Sequence, residues 1–472
     1  MEIIRKIVFY IFLAAYLILC PLLILYSLGY VVDPLKEKLV STGIIYLETI
    51  PPDAQVFLEK SHFKDKTPTT IHDLLPGTYT VRLMLQGYQP WTQTVEVSNG
   101  KAAAFEKIVL IPDYFRIKLL LPQVYTSLMP VRGAEYFLLS KSDRLNDYAY
   151  YDGKKMRAVA LLPPGSGLSG LHVSAVFSRD ESRNLVMAAG PLWDQKYWQV
   201  RLTGDAPEFR EITKLVPERP LQFFWEADEK EHVFTLHHGY INRLDVSAVA
   251  LYPRFVEDIR GWGISHDQLY VIDRDDALVT VSPSRNEPKV VLQSHDLAGI
   301  FDREKDFYEI FPLGGDVVAF SGSRGFVIAG WPFPPLVGDE PVSLQYNASH
   351  NRLLVWTQHA VGILDMAEAG NSARRAEGRF VSPQIRWVYR KGRDIRQCFW
   401  AFDGAHIVFR DGNKIFLLQP QSQGMAHVDQ VASCRDGTAI FYTDLKSRLY
   451  FLGEQDGYLY SLDLGPKKEP AR

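Results

Sequence analysis

The first long apolar segment of the chain runs from Ile7 to Val32 and contains no charged residue. A helix rises ~1.5 Å per residue, so about twenty residues span the hydrocarbon core of a bilayer. Phe9 and Tyr10 lie near one end of the segment and Tyr26 and Tyr30 near the other, as in an aromatic belt. The pattern therefore predicts a transmembrane helix over residues 7–32.

Two other readings of this segment stay open. A cleaved signal peptide has a shorter apolar region and a small-residue cleavage site, and a lipoprotein anchor at Cys20 would have a small residue in place of Leu19. Arg5 and Lys6 precede the segment, whereas the charges after Val32 are mixed. This bias predicts a single-pass plasma-membrane protein with a cytoplasmic N-terminus and extracytoplasmic C-terminal domains.

From Thr42 to Pro112 the apolar residues alternate with period two, which is typical of half-buried strands. In the segment TYTVRLMLQ, which begins at Thr78, the side chains of Tyr79, Val81 and Leu83 face one way. Pro-Gly and Gly-Tyr pairs bound this segment and indicate turns. The pattern predicts a small β domain.

Five marks in this domain resemble the PEGA domain: Gly43, Pro52-Asp53-Ala54, Thr67-Pro68, Leu75-Pro76-Gly77-x-Tyr79-x-Val81 and Gly87-Tyr88. Asp53 stands where the family has glycine, and aspartate tolerates a positive φ better than most residues. The resemblance implies a small β-sandwich of prokaryotic envelope and surface proteins. It also implies a spacer or binding module without catalytic residues.

After Pro112 a weak unit recurs, in which a turn with Asp or Asn is followed by two apolar strands. Its spacing is roughly 35 to 55 residues, which is typical of propeller blades. We predict a mainly β chain with a seven- or eight-bladed β-propeller, eight being favoured; two stacked β-sandwiches are the alternative. The segments predicted as inner strands are QFFW, IRGWGI, VSLQY, RQCFWAF and DQVASC.

These patterns predict six parts of the chain. They are a short cytoplasmic end (1–6), the transmembrane helix (7–32), a linker (33–41), the PEGA-like β-sandwich (42–112), the propeller (113–465) and a polar tail (466–472).

Charge and cysteine content reduce the number of possible partners and cofactors. The net charge is −3 and no basic block occurs, so we expect no nucleic-acid partner. Cys398 and Cys434 are the only pair outside the apolar segment, and the sequence leaves open whether they form a disulfide or two buried thiols. No cysteine or histidine spacing predicts a metal or a cofactor.

The chemical motifs are incomplete. Ser323 in SGSRG lacks the first glycine of a nucleophile elbow. His237-His238-Gly239 has no neighbouring metalloprotease helix, and Asp273 to Asp276 lacks the glycine and glutamate of a calcium loop. The sequence therefore predicts no enzyme.

We predict a membrane-anchored extracytoplasmic binding or scaffolding protein whose propeller recognises a protein or a polysaccharide. Trp225, Trp262, Trp387 and Trp400 are the candidate ligand surface. The alternative is a propeller hydrolase or lyase acting on envelope glycan or peptide. That alternative requires carboxylates, or a Ser/His pair, to converge at one mouth of the channel.

Overall fold

The computed structural model shows a mainly β protein, with one long helix among the residues that it describes. It describes residues 2–27, 30–33, 38–130, 136–153, 155, 157–162, 168, 170–178, 184–191, 193–202, 207–225, 232–265, 268–282, 288–292, 308–314, 317–322, 325–328, 336–337, 342–366, 385–420 and 426–465. The chain divides into two compact units, and the boundary between them falls at residues 116 and 117.

Helix α1 (Glu2–Ser27) ends before the predicted boundary at Val32. Two short strands follow, β1 (Tyr30–Asp33) and β2 (Lys38–Ser41), which pair antiparallel with Val31 opposite Val40. Valine and tyrosine favour strands, so the end of the predicted span and part of the predicted linker form a β-hairpin instead. Within the described residues, no helix combines the length and apolarity that crossing a membrane requires.

The predicted β domain is a sandwich of two sheets. Its strands are β3 (Gly43–Ile50), β4 (Gln55–Leu58), β5 (Ser61–Lys66), β6 (Thr69–Leu74), β7 (Gly77–Met84), β8 (Trp91–Val97) and β9 (Ala102–Val109). One sheet has the order β6-β3-β9 and the other β5-β4-β7-β8. The alternating residues Ile45, Leu47, Val81 and Leu83 are fully buried in the shared core, which confirms the predicted strand faces.

A chain of buried hydrogen bonds explains the Thr67-Pro68 mark. The Thr67 hydroxyl accepts from the backbone N–H of Ala54 at 3.0 Å and bonds to the Thr49 hydroxyl. Thr49 in turn donates to the carbonyl of Pro51 at 2.7 Å. This chain joins the ends of three strands around the turn at Asp53, whose φ of 68° confirms the expected positive value.

Two further marks have equally local causes. A Cβ at Gly43 would collide with the Val97 side chain and the carbonyl of Ser98. The Tyr79 hydroxyl donates to the carbonyl of Leu75 at 2.8 Å and closes the Pro-Gly turn. These residues therefore serve close packing and turn geometry.

The second part of the chain consists of short strands. They are β10 (Arg116–Leu121), β11 (Ser127–Pro130), β12 (Tyr136–Ser140), β13 (Tyr148–Asp152), β14 (Arg157–Ala160), β15 (Val173–Ser178), β16 (Asn184–Ala189), β17 (Lys196–Arg201), β18 (Glu208–Glu211), β19 (Gln222–Trp225), β20 (His232–His237), β21 (Tyr240–Asp245), β22 (Ala250–Glu257), β23 (Ile259–Ser265), β24 (Gln268–Asp273), β25 (Leu278–Val281), β26 (Pro288–Leu292), β27 (Tyr308–Gly314), β28 (Val317–Gly322), β29 (Gly325–Ile328), β30 (Leu336–Val337), β31 (Ser343–Asn347), β32 (Arg352–Trp356), β33 (Val361–Asp365), β34 (Arg386–Tyr389), β35 (Ile395–Ala401), β36 (His406–Asp411), β37 (Lys414–Gln419), β38 (His427–Ser433), β39 (Phe441–Thr443), β40 (Arg448–Leu452) and β41 (Leu459–Asp463). In the described ranges, short 3₁₀ helices lie between them at Leu145–Asp147, Thr213–Leu215 and Asp444–Lys446.

Among the described residues these strands form eight four-stranded groups, which we call blades. Seven blades run in chain order from β11–β14 to β35–β38, and the fourth and fifth are joined by a parallel contact between β23 and β27. The eighth has the order β10-β41-β40-β39, so the first strand of the series completes the last blade. This is the arrangement of a β-propeller.

Hydrophobic clusters connect successive blades. Buried side chains of the first and second blades form one cluster, and the same holds for the second and third, the third and fourth, and the sixth and seventh. The last blade packs on the first: Phe137 of β12 lies 5.1 Å from Tyr450 and 5.9 Å from Phe441 between ring centroids. Within the first blade, Phe137 also stacks on Tyr151 at 4.7 Å. The series is therefore closed by both hydrogen bonds and aromatic packing.

One predicted inner strand is wrong. QFFW, IRGWGI, VSLQY and RQCFWAF fall on the first strands β19, β23, β31 and β35 of their blades. DQVASC instead falls on β38, the fourth strand of the seventh blade, because its alternating residues pair with β37. The first strand of the eighth blade is β39.

The two propeller cysteines are separate thiols. Cys398 and Cys434 are both unbonded and buried, and burial raises the pKa of each thiol. The sequence left open a disulfide or two buried thiols, and the structure shows two buried thiols.

The hydrogen bonds of Thr67 give the first prediction. Thr67→Val would leave the buried N–H of Ala54 without its acceptor, so we expect the sandwich to lose about 1–3 kcal/mol. Amide hydrogen exchange in β4 and β7 measures this loss separately from the propeller. Thr78→Val, an exposed position of β7, is the control. Equal protection in the two variants would contradict the assigned role.

The aromatic packing at the closure gives the second prediction. Phe137 is fully buried, so Phe137→Ala should cost about 3–5 kcal/mol through lost burial and the resulting cavity. We expect faster amide exchange in β12, β40 and β41. Val290→Ala, at a side chain that is 54% exposed, should leave exchange unchanged. Unaltered protection of β40 in Phe137→Ala would show that this cluster does not hold the closure.

Candidate functional site

A cavity of about 470 Å³ opens at one end of the third blade. The two-residue turn His238-Gly239 joins β20 to β21 there, and the φ of 81° at Gly239 suits a turn of this kind. The segment that enters β19 lies beside the same end, because the N–H of Leu221 donates to the carbonyl of Leu236 at 2.8 Å. The residues that line the cavity are Glu218, Arg219, Pro220, Leu221, His237, His238 and Tyr240.

His237 is the most enclosed polar residue of this lining, with 4% of its surface exposed. Its ring stacks on that of Tyr240 with centroids 4.7 Å apart and planes 6° from parallel. Its Nε2 atom lies 3.0 Å from the Thr235 hydroxyl and 3.2 Å from Nδ2 of Asn242. The imidazole is therefore fixed on one edge and on one face.

The neighbours of Asn242 decide the protonation of this imidazole. The backbone N–H of Arg254 donates to Oδ1 of Asn242 at 2.7 Å, so the amide oxygen points to Arg254 and the NH₂ group points to His237. An NH₂ group can only donate, so Nε2 of His237 is an acceptor and the proton of the neutral ring lies on Nδ1. Burial lowers the pKa of His237, which keeps this ring neutral.

A β-bulge supplies the N–H that orients Asn242. The register between β21 and β22 shifts after Ile241, and Arg254 takes a left-handed φ of 49°. Pro253 precedes it and has no N–H for the ladder. A bulge re-aims backbone and side chains, and here the Arg254 guanidinium lies 5.0 Å from the centre of the Tyr240 ring.

The rim of the cavity carries one acidic side chain, Glu218, and one basic side chain, Arg219. The Tyr240 hydroxyl donates to Oε2 of Glu218, and burial together with this bond raises the pKa of Tyr240. Arg219 and His238 are exposed at the same rim. The cavity thus offers one carboxylate acceptor, one guanidinium donor and one buried imidazole N–H.

The four predicted tryptophans lie apart from this cavity. Trp225 is buried between the second and third blades, and Trp262 stacks on Phe224 with centroids 4.5 Å apart. Trp400 is 7% exposed and its Nε1 donates to the carbonyl of Gln345 at 3.1 Å. Burial leaves these three rings no open face for a ligand. Trp387 is half-buried beside the Arg390 guanidinium, and its ligand role stays a prediction.

The remaining motifs show no converging chemistry in the part of the chain that the structure describes. Asp273 caps the hairpin turn between β24 and β25 by accepting from the N–H groups of Asp275 and Ala277, both at 2.9 Å. Ser323 lies outside the described residues. No group of three or more His, Cys, Asp or Glu side chains that could hold a metal occurs among the described residues.

The sequence indicates His237 and His238 only as an incomplete metal motif. Glu218 and Arg219 precede His237 by almost twenty positions and reach it only because β19 and β20 pair. The sequence feature that could have indicated this cavity is the histidine pair before Gly239, in a turn between two strands. That feature does not indicate the roles of Asn242 and Arg254.

Comparisons with known proteins concern the fold and one domain. No curated protein matched the chain. Among solved structures, the computationally designed Ika8 protein overlaps 72% of this chain and 96% of its own, with a TM-score of 0.42 and 13% identity. The β-propeller domain of Cps50 (Swd1) from Myceliophteria thermophila gives the same coverage, a TM-score of 0.40 and 10% identity. Residues 42–108 match the PEGA domain family, which confirms the resemblance seen in the sequence.

Proposed function

We propose that the chain is a membrane-anchored, extracytoplasmic binding or scaffolding protein of a prokaryotic envelope, and that its propeller recognises a polysaccharide or a protein at the cavity of the third blade. The observation that carries the proposal is the buried His237 imidazole, whose orientation leaves Nδ1–H for a ligand. Small-ligand pockets are typically ≈ 300–1,000 Å³ and hold a few well-placed polar groups. The cavity fits both criteria.

The anchor part of the proposal rests on the sequence. The segment from Ile7 to Val32 has no charge, and Arg5 and Lys6 lie on its N-terminal side. Apolar side chains of α1 are exposed, for example Phe12 at 72% and Tyr16 at 65%. Exposed apolar surface of this extent calls for an apolar environment. The PEGA resemblance supports an envelope location.

The recognition role gives a prediction that compares the two ends of one blade. A photoreactive amino acid at His238, in the turn of the cavity, should cross-link to material of the source envelope. The same probe at Ala248, in the exposed turn between β21 and β22 at the other end of the blade, should not. Equal labelling from both positions, or none from His238, would contradict the proposal.

The anchor gives a separate prediction. The full-length chain should stay in the membrane pellet after an alkaline carbonate wash, because an apolar helix across the bilayer does not depend on ionic contacts. Leu17→Arg should release it, since a charge at the helix centre costs about 2.5–3.5 kcal/mol on insertion. Tyr114→Arg, at a side chain 87% exposed outside the helix, is the control. Release of the unaltered chain would refute the anchor.

A further inference from the structure

The hydrogen-bonding groups of the cavity are of mixed type. The described residues give Nδ1 of His237 no partner, although its Nε2 has two. That atom is also not among the fully enclosed polar atoms without a partner. Because His237 lines the cavity, we place this N–H toward it. Arg219 has no ion-pair partner among the described residues, whereas Glu218 accepts from Tyr240. Donors and an acceptor therefore stand side by side.

This mixture indicates the class of ligand. Each hydroxyl of a ligand is both a donor and an acceptor, and a buried hydroxyl without a partner costs free energy. A lining with Arg219, Glu218 and the His237 N–H satisfies both roles of neighbouring hydroxyls. The opposite charges of Arg219 and Glu218 give the rim no net sign, so it does not select an anion or a cation.

An exposed aromatic side chain stands at the same end of the preceding blade. Trp193 lies in the turn between β16 and β17 and is 89% exposed. In that turn Gln195 accepts from the hydroxyl of Tyr197 at 2.9 Å, and Tyr197 packs on Phe223 of β19 with ring centroids 5.4 Å apart. The turn that carries Trp193 is thus tied to the blade that carries the cavity.

We infer that the ligand is a glycan, one sugar of which enters the third-blade cavity while a neighbouring sugar packs on Trp193. The apolar C–H face of a pyranose packs on an aromatic ring, and its hydroxyls bond with Glu218, Arg219 and Nδ1–H of His237. This inference rests on the proposed function and selects a polysaccharide over a protein as the partner. A peptide ligand remains as an outcome of the test.

Two substitutions of His237 distinguish the role of Nδ1 in ligand binding from that of Nε2. The amide of a shorter asparagine lies near the position of Nδ1, so His237→Asn keeps a donor toward the cavity. The amide of a longer glutamine lies near Nε2, so His237→Gln loses that donor. We expect His237→Gln to weaken binding about tenfold, the effect of one lost hydrogen bond, and His237→Asn to weaken it less. Trp193→Ala, at an exposed position, should also weaken binding without affecting folding.

The probe is a polysaccharide fraction of the source envelope, exhaustively digested with protease, of which one half is oxidised with periodate. Periodate cleaves the C–C bond of a vicinal diol and so opens the rings of those sugars that carry one. The immobilised full-length chain should retain the unoxidised half, lose the oxidised half, and retain less with His237→Gln and Trp193→Ala. Retention that both variants leave unchanged would overturn the inference, and so would retention that survives periodate in a fraction whose sugars carry vicinal diols.

A second arm uses the undigested envelope extract. Capture from it that protease abolishes and periodate spares, and that still depends on the cavity, would identify a protein partner. That result refutes the glycan but leaves the binding function intact. No cavity-dependent capture from either preparation would refute both.

Discussion

The closed series of blades depends on the pairing of β10 with β41. An open series of four-stranded sheets would expose apolar faces at both ends, because each blade buries its side chains against the next one. Here a strand from the start of the series completes the last blade. The cluster of Phe137, Tyr151, Phe441 and Tyr450 then covers the two faces that would otherwise meet water. Hydrophobic clusters between the first four blades, and between the sixth and seventh, repeat the same solution between neighbours in the chain.

The β-bulge of the third blade positions the buried histidine of the cavity. In a regular ladder, backbone N–H groups bond to the neighbouring strand. At the bulge, the N–H of Arg254 instead donates to the side-chain oxygen of Asn242. The amide then fixes His237, and the stacked Tyr240 covers the imidazole face. A left-handed non-glycine residue and a buried, oriented histidine both cost free energy in the folded state. Such costs concentrate at functional sites.

Local patterns predicted most strands of the small domain, and the PEGA resemblance supplied its sandwich fold; the strands Ser61–Lys66 and Thr69–Leu74 were not predicted. The alternation around Ile45 and Val81, the turn marks and the positive φ of Asp53 depend on neighbours in the chain and on single strand pairs. The repeat also predicted first strands such as Gln222–Trp225. It failed at His427–Ser433, because a fourth strand with apolar alternation has the same pattern as a first strand. The closing strand Arg116–Leu121 belongs to a blade whose other strands lie more than 300 residues later, so no repeat could assign it. Trp225, Trp262 and Trp400 are buried, and burial and ligand binding favour the same residue type, so a tryptophan alone does not indicate a ligand surface. The cavity requires the pairing of β19 with β20.

The protonation of His237 is the point on which the account of the cavity depends. Nitrogen-15 spectroscopy of the full-length chain labelled at histidine distinguishes a ring protonated on Nδ1 from one protonated on Nε2 or on both. The account predicts that His237 is neutral near pH 7 with its proton on Nδ1, because Asn242 donates to Nε2 and burial lowers the pKa. A proton on Nε2, or a doubly protonated ring at that pH, would contradict the orientation of Asn242 and remove the free donor from the cavity.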